Sequence, residues 1–225
     1  MEFLYLDAKL CVCVKPAGIL STDEPGGMPD LVRAALGPGA GCVYTVHRLD
    51  RVVGGVMALA RTRRAAGDLS AQIREGRFRK EYLAVIHGRT PDIQGRFTDL
   101  LLRDKAERKT YVTHRTDKGA QEAVLDYARL AEAEGLTLVR IRLLTGRTHQ
   151  IRAQFSARGL PLMGDGKYGA PAADCGVALW SYRLSFAHPK TGEVLDCTAA
   201  PPDVWPWTLF KDAGTAWDAS DQKGM

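Results

Sequence analysis

At 225 residues, with 45% hydrophobic and 25% charged residues, the chain is long enough for one domain with a substantial core, or for two small subdomains sharing one. No run of about 18 apolar residues occurs, and Met1–Asp7 lacks the basic and apolar stretches of a secretory leader. A membrane span and export are therefore not expected, and a cytoplasmic location is. The net charge of +5 favours a negatively charged partner but is too modest to decide one.

In chain order, the pattern predicts two short strands, Phe3–Asp7 and Leu10–Val14, joined by a tight turn and ended by Lys15-Pro16-Ala17-Gly18. A Pro- and Gly-rich loop leads into a helix near Met28–Leu36, stopped by Gly37-Pro38-Gly39. Val43–Val46 reads as a strand delivering His47-Arg48-Leu49-Asp50 into a loop, and Val56–Ala60 as the strand that follows Gly54-Gly55. Thr62 caps a helix whose Ala65, Ala66, Leu69 and Ile73 recur at helical spacing, with Gly76 as the stop and the arginines pointing outward. Phe78–Ile86 is a strand. Gln121–Leu130 and Leu136–Leu144 form a hairpin turned at Ala133-Glu134-Gly135. Thr148–Arg158 is helical, so His149 and Arg152 share a face. A last hairpin joins Ala178–Phe186 to Val194–Thr198. Strands outnumber helices and connect mostly by hairpins, which makes the fold class α+β, a mixed, mainly antiparallel sheet with flanking helices. The polar, small residues of 212–225 read as a loose tail behind a domain covering 1–211.

Cys11 and Cys13 alternate on one strand face, and Cys42, Cys175 and Cys197 are scattered singly. No cysteine or histidine spacing suits zinc, so no metal site is expected and the thiols read as inert. The charges are more telling. Arg61, Arg63, Arg64, Arg74, Arg77, Arg79 and Lys80 fall in a stretch whose only acids are Asp68 and Glu75, and Arg140, Arg142, Arg147, Arg152 and Arg158 form a second cluster without any acid. Clustered arginine suits an RNA backbone, although solvated faces of a helix and strand would look the same.

Three segments at element boundaries stand out: Val46-His47-Arg48-Leu49-Asp50-Arg51, Lys80-Glu81-Tyr82-Leu83-Ala84-Val85-Ile86-His87-Gly88, and Thr145-Gly146-Arg147-Thr148-His149-Gln150-Ile151-Arg152 with Gly164-Asp165 and Tyr168-Gly169 behind it. Singly each has a plain reading: Asp50 a turn residue, Tyr82 strand packing, His149 and Arg152 a wet stripe. In this order and at these separations they resemble the RluA family of pseudouridine synthases, and Val12–Leu20 is similar to that family's first strand and Lys-Pro-Ala-Gly turn. The resemblance runs from about Asp7 to Pro202.

The resemblance implies a pseudouridine synthase catalytic fold with a basic-walled cleft, and isomerisation of uridines in structured ribosomal or transfer RNA. Asp50 corresponds to the catalytic aspartate, Tyr82 to the tyrosine that stacks on the target base, and Arg152 to the basic residue paired with the aspartate. Arg48 corresponds to an arginine that enters the RNA where the uridine is displaced. Lys15, His47, Arg147 and His149 lie in matching motifs and are assigned to RNA contact or to support of the site. The reaction gains and loses no atoms, so no cofactor is expected, nor any obligatory protein partner. Burial disfavours an ionised carboxylate and a neighbouring guanidinium restores it, which is what the implied pairing of Asp50 with Arg152 would provide.

Two departures matter. Many relatives follow the aspartate with Arg-Asp-Thr-Ser-Gly, whereas this chain reads Arg51-Val52-Val53-Gly54-Gly55, so bracing of the loop must come from packing or backbone. The small basic N-terminal RNA-binding module of many members is not expected here. The competing readings are a non-catalytic RNA-binding or chaperone protein on the same fold, which needs no Asp–Tyr–Arg constellation, and an unrelated hydrolase using Asp50, which would want a second carboxylate or a base.

Overall fold

The computed structural model describes residues 1–114 and 118–215, and the chain divides into two compact units, residues 1–81 with 180–200 and residues 82–179 with 201–225. In the first unit, Asp7 turns the chain: its Oδ1 accepts from the N–H groups of Lys9 and Leu10 at 2.7 and 2.9 Å. This joins β1 (Phe3–Leu6) to β2 (Leu10–Lys15) as an antiparallel pair. The far side of β2 pairs antiparallel with β4 (Gly54–Ala60), whose other edge receives the short β3 (Tyr44–Thr45) and, in parallel, β10 (Leu179–Ala187). β11 (Val194–Thr198) closes the last hairpin on β10.

Helix α1 (Met28–Leu36) has the predicted limits, with proline near its start and Gly37 at φ 75° at its end. Helix α2 (Arg63–Arg74) begins at Thr62, whose hydroxyl accepts from the Ala65 N–H at 3.2 Å. It buries Ala65 and Leu69 against Leu10 and Val12 of β2, Val56, Ala58 and Ala60 of β4, and Leu184 and Phe186 of β10. These strand positions alternate, as one face of a pleated sheet requires. Phe78 stacks on Phe186 at 4.7 Å, and the arginines at 63, 64, 74, 77 and 79 are exposed.

In the second unit the strand order is β5–β9–β8–β6–β7, taking β5 as Arg79–His87 and its residues from Tyr82 onward. β8 (Gln121–Ala133) and β9 (Leu136–Leu143) form the predicted hairpin. Its two linking residues, Glu134 and Gly135, both have positive φ (52° and 74°), the conformation that matches strand twist in a two-residue turn. The sequence reading assigned nothing to 94–113, yet β6 (Gln94–Asp104) and β7 (Lys109–Thr113) are a second hairpin, turned where Asp104 Oδ1 accepts from Ala106 and Glu107 N–H. Helix α3 (Gln150–Ser156) starts later than expected, because His149 takes a left-handed φ of 55° and Thr148 lies before it. Phe155 packs edge-on against Phe97 and Tyr127 at 5.1 and 6.1 Å. The loose tail expected over 212–225 lies outside the described residues from 216 on, and 212–215 continue a 3-10 stretch, Trp207–Thr215.

The architecture is therefore α+β with mainly antiparallel pairing. Among the described residues no helix is long and apolar enough to cross a membrane.

Candidate active site

The His47–Asp50 segment leaves β3 with alternating exposure. His47 and Leu49 face inward, Arg48 is exposed, and Asp50 is half-buried. His47 Nε2 accepts the Ala58 N–H at 3.0 Å, so the ring proton sits on Nδ1, which has no hydrogen-bond partner among the described residues. Burial, and then the charge of Lys80, push its pKa down to about 3. A neutral ring that accepts a strand N–H and lies 5.4 Å from Phe78 supports the loop from beneath.

Val52 and Val53 give the loop after Asp50 no polar side chain of its own, and the structure shows what holds it. The Val53 N–H returns to the Asp50 carbonyl at 3.0 Å, closing a tight turn. Ser21 Oγ donates to the Leu49 carbonyl at 2.8 Å and accepts the Leu49 N–H at 3.0 Å. Gly18 gives its N–H to the Arg51 carbonyl at 2.7 Å and receives Arg51 Nε on its own carbonyl at 2.9 Å. Lys15 has 0% exposure, and its ammonium donates to the carbonyls of Val53, Pro16 and Arg51 at 2.8, 3.0 and 3.3 Å. Burial lowers its pKa to about 8, partly offset by the charge of Asp50. The Lys-Pro-Ala-Gly turn thus clamps the Asp50 loop through main-chain atoms and one buried cation.

Gly54 and Gly55 end that loop for steric reasons. A Cβ on Gly54 would come within 2.5 Å of the Trp180 ring, and one on Gly55, at φ 117°, within 2.2 Å of the Ser181 carbonyl. Only glycine lets β4 approach β10 this closely, and the approach fixes where the loop ends and the strand begins.

In the second unit, Tyr82 opens the fully buried run of β5 and is 6% exposed. The segment 161–163 runs beside this strand: Pro161 accepts from the His87 N–H, and Met163 N–H donates to the Val85 carbonyl. It leads directly to Gly164-Asp165. Gln150 ties down the loop before α3, with its Oε1 accepting from Thr145 Oγ1 and the Arg147 N–H and its Nε2 donating to the Val124 carbonyl. Arg147 itself is exposed, with Nε on the Glu122 carbonyl at 2.8 Å.

Arg152 is 4% exposed and forms a two-point ion pair with Asp165: Nε to Oδ2 at 2.6 Å and Nη2 to Oδ1 at 2.7 Å. Its guanidinium also lies 4.9 Å from the centre of the Tyr168 ring. His149 does not share a helical face with Arg152 as expected, since it precedes the helix, but both converge on Tyr168, whose hydroxyl meets His149 Nδ1 at 2.8 Å. Asp165 was quoted in the Gly-Asp motif but given no role; a lone acid thirteen residues from an arginine carries no local signal for pairing.

The expected basic wall over Arg140–Arg158 is corrected by these placements. Arg140 and Arg152 are buried, and Arg158 is committed to Asp99 at 2.9 and 3.1 Å with its guanidinium 3.8 Å from the Phe97 ring centre. A cluster in sequence along a strand and helix distributes its members to different sides, and only Arg142, Arg147 and Arg158 of this one keep solvent access. Lys15 and His47 are both interior, which fits support of the site, the second of the two roles considered for them; Arg48 and Arg147 are exposed.

A family model described as RNA pseudouridylate synthase matches residues 9–157, which include the Lys15 turn, the Asp50 loop, Tyr82 and Arg152. The chain belongs to this family. An uncharacterized RNA pseudouridine synthase of Synechocystis is 33% identical over 216 residues, covering 90% of this chain and 66% of that protein. The dual-specificity RNA pseudouridine synthase RluA of Yersinia pestis is 34% identical over 199 residues, and the match covers 85% of this chain and 95% of that one. The likeness therefore extends beyond the motifs to 85% of this chain. Among solved structures, human RNA pseudouridylate synthase domain containing 4 superposes with a TM-score of 0.77 at 22% identity, over 92% of this chain and 91% of that one, and so shares the fold. As a pseudouridylate synthase, this chain is an isomerase in enzyme class.

Proposed function

We propose that this chain converts chosen uridines in structured ribosomal or transfer RNA to pseudouridine, with Asp50 as nucleophile. Relatives at about 30% identity are named ribosomal large subunit pseudouridine synthase D, in Neisseria meningitidis, and tRNA pseudouridine synthase C, in Yersinia pestis, which supplies the two substrate classes. The observation that carries the reading is the Asp50 loop. A half-buried carboxylate stands on a turn held at Leu49, Arg51 and Val53 by Ser21, Gly18 and Lys15, inside a segment that matches the family. A turn residue with only a structural task does not need a buried ammonium beside it.

The isomerisation breaks the N1–C1′ bond, turns the uracil and rejoins it through C5. The carboxylate of Asp50 serves either by adding to the base or by capturing C1′. A stacked uridine must first leave its helix, at a cost of a few kcal/mol. Stacking on Tyr82 returns about 1–3 kcal/mol of that, and Arg48, exposed two residues before Asp50, is assigned to the space the base vacates. Arg152 is assigned as the basic partner of the reaction. No atom is gained or lost, so no redox equivalent or nucleotide enters the balance.

The deciding experiment is Asp50→Asn, assayed on total RNA from cells lacking this protein. The amide keeps the shape and loses the nucleophile, so pseudouridine formation should disappear while RNA binding persists. Substantial turnover by the purified variant would overturn the proposal. Tyr82→Ala should weaken substrate engagement by roughly tenfold to a hundredfold, and Tyr82→Phe should retain it.

A further inference from the structure

Arg152 enters the reaction, on the reading above, as a cation, but the structure already provides its counter-charge. Asp165 is 1% exposed and takes the Nε–Nη2 edge of the guanidinium with both carboxylate oxygens. The pair is therefore close to neutral, and any effect the guanidinium has on a further group is directional, because Asp165 sets the plane of the fork. A buried, matched pair is a poor way to gain stability, since apolar residues of the same volume do as well or better. It is a good way to hold a planar cation in one orientation.

The surroundings act on the same orientation. Asp165 is set by a backbone that has no slack. Gly164 sits at φ 75°, and a Cβ there would come within 2.3 Å of the Gly176 carbonyl. The Asp165 N–H binds the Leu162 carbonyl at 3.0 Å, and its own carbonyl accepts from Tyr168 and Ala170 at 2.9 and 3.2 Å. That turn delivers the Tyr168 ring beneath the guanidinium. The ring is in turn fixed at its far end, where the hydroxyl accepts the Thr110 N–H at 2.9 Å and meets His149 Nδ1, and at its backbone, whose carbonyl accepts from Ser156 Oγ at 2.6 Å. One edge and one face of the Arg152 guanidinium are thus defined by residues three apart on a single turn.

We propose that Asp165, backed by Tyr168, is a positioning residue for the isomerase reaction, which fixes the orientation of the Arg152 guanidinium. This rests on the assignment of Arg152 to the reaction, and the test separates the two. Asp165→Asn, Arg152→Lys and the double variant are compared with the unaltered protein by single-turnover rate at saturating enzyme on total RNA from cells lacking this protein. RNA affinity is measured alongside. Asp165→Asn should slow the rate about 100-fold, as misplacement of a reacting group by about 1 Å does, with affinity unchanged within about twofold. The double variant should be no slower than Arg152→Lys, because a residue acting only by orienting the planar guanidinium has no fork left to orient, an ammonium being a point charge.

If Arg152→Lys is slow and Asp165→Asn is not, the role given to Asp165 is wrong and the assignment of Arg152 stands. If Arg152→Lys retains the full rate, the assignment itself fails and the proposal with it. Multiplicative losses in the double variant would show Asp165 to be a general structural support, which also overturns the proposal. Should Asp165→Asn not fold, Tyr168→Phe serves instead: it keeps the ring face and removes the hydroxyl link, and should slow the rate about tenfold only when Arg152 is present. An equal slowing in the Arg152→Lys background would count against it.

Discussion

Asp50 stands half-exposed on a loop whose main chain is tied to a neighbouring turn by Gly18, Ser21 and the Lys15 ammonium, whereas Arg152 lies buried on a helix with its charge met directly by Asp165. In the first unit it is the backbone around Asp50 that is held. In the second, the side chain itself is held. The difference follows from burial. A guanidinium removed from water stays charged, so its burial is costly unless a carboxylate lies at hydrogen-bond distance.

This contrast sets the expected size of each perturbation. The largest is Arg152→Met, which fills similar volume but strands the buried carboxylate of Asp165. It should cost about 3–5 kcal/mol of unfolding free energy, measured by denaturant titration. A loss under about 1 kcal/mol would mean that Asp165 finds other donors and that the pair is not what holds this region.

Next comes Lys15→Met, which removes the donor from the Val53 and Pro16 carbonyls, while Arg51 keeps its bond from Gly18. Each buried carbonyl left without a donor costs about 1–3 kcal/mol, and the slack should appear in the rate at saturating RNA because Asp50 is in the same turn. The pH dependence has a definite sign. Burial lowers the Lys15 pKa to about 8 from the usual 10.5, so between those values the unfolded chain holds a proton that the folded chain has released. Stability carried by this group therefore rises with pH across that window, and the penalty for burying the ammonium is fully present below pH 8. Unfolding titrations from pH 7 to 10.5 should show this rise in the unaltered protein and not in Lys15→Met; identical slopes would remove the clamp from the account.

The smallest effect compares exposed with committed arginines. Arg74 is exposed at the end of α2, whereas Arg158 is bonded to Asp99 and covers Phe97. If α2 meets phosphates, Arg74→Ala should reduce the slope of log K against log salt by about 0.7, the value for one single-strand phosphate. Arg158→Ala should leave the slope unchanged and lower stability instead. Equal slopes for all three proteins would make α2 a solvated face.

Much of the local structure was legible because it has local causes. The limits of α1 follow from proline and glycine, the start of α2 from Thr62 bonding three residues on, and the β8–β9 turn from Glu134-Gly135. The β6–β7 hairpin was not, because its burial alternates irregularly and charged residues fall where a sheet face would ask for apolar ones. The start of α3 was misplaced for a related reason: His149 adopts a left-handed conformation that its residue type does not demand, held by a tyrosine nineteen residues away.

By itself the sequence determined the α+β class, the order of the three motifs, the family, and which side chains to consider at the site. It did so because motif spacing and turn chemistry are properties of neighbouring residues. Only the tertiary structure decided how those side chains are held: that Lys15 points inward to three carbonyls, that Arg140, Arg152 and Arg158 of the second arginine cluster take buried or paired positions, and that Asp165 completes Arg152. Those outcomes depend on which distant groups share a dry environment, where a charge must find its partner, and no pattern along the chain encodes that choice.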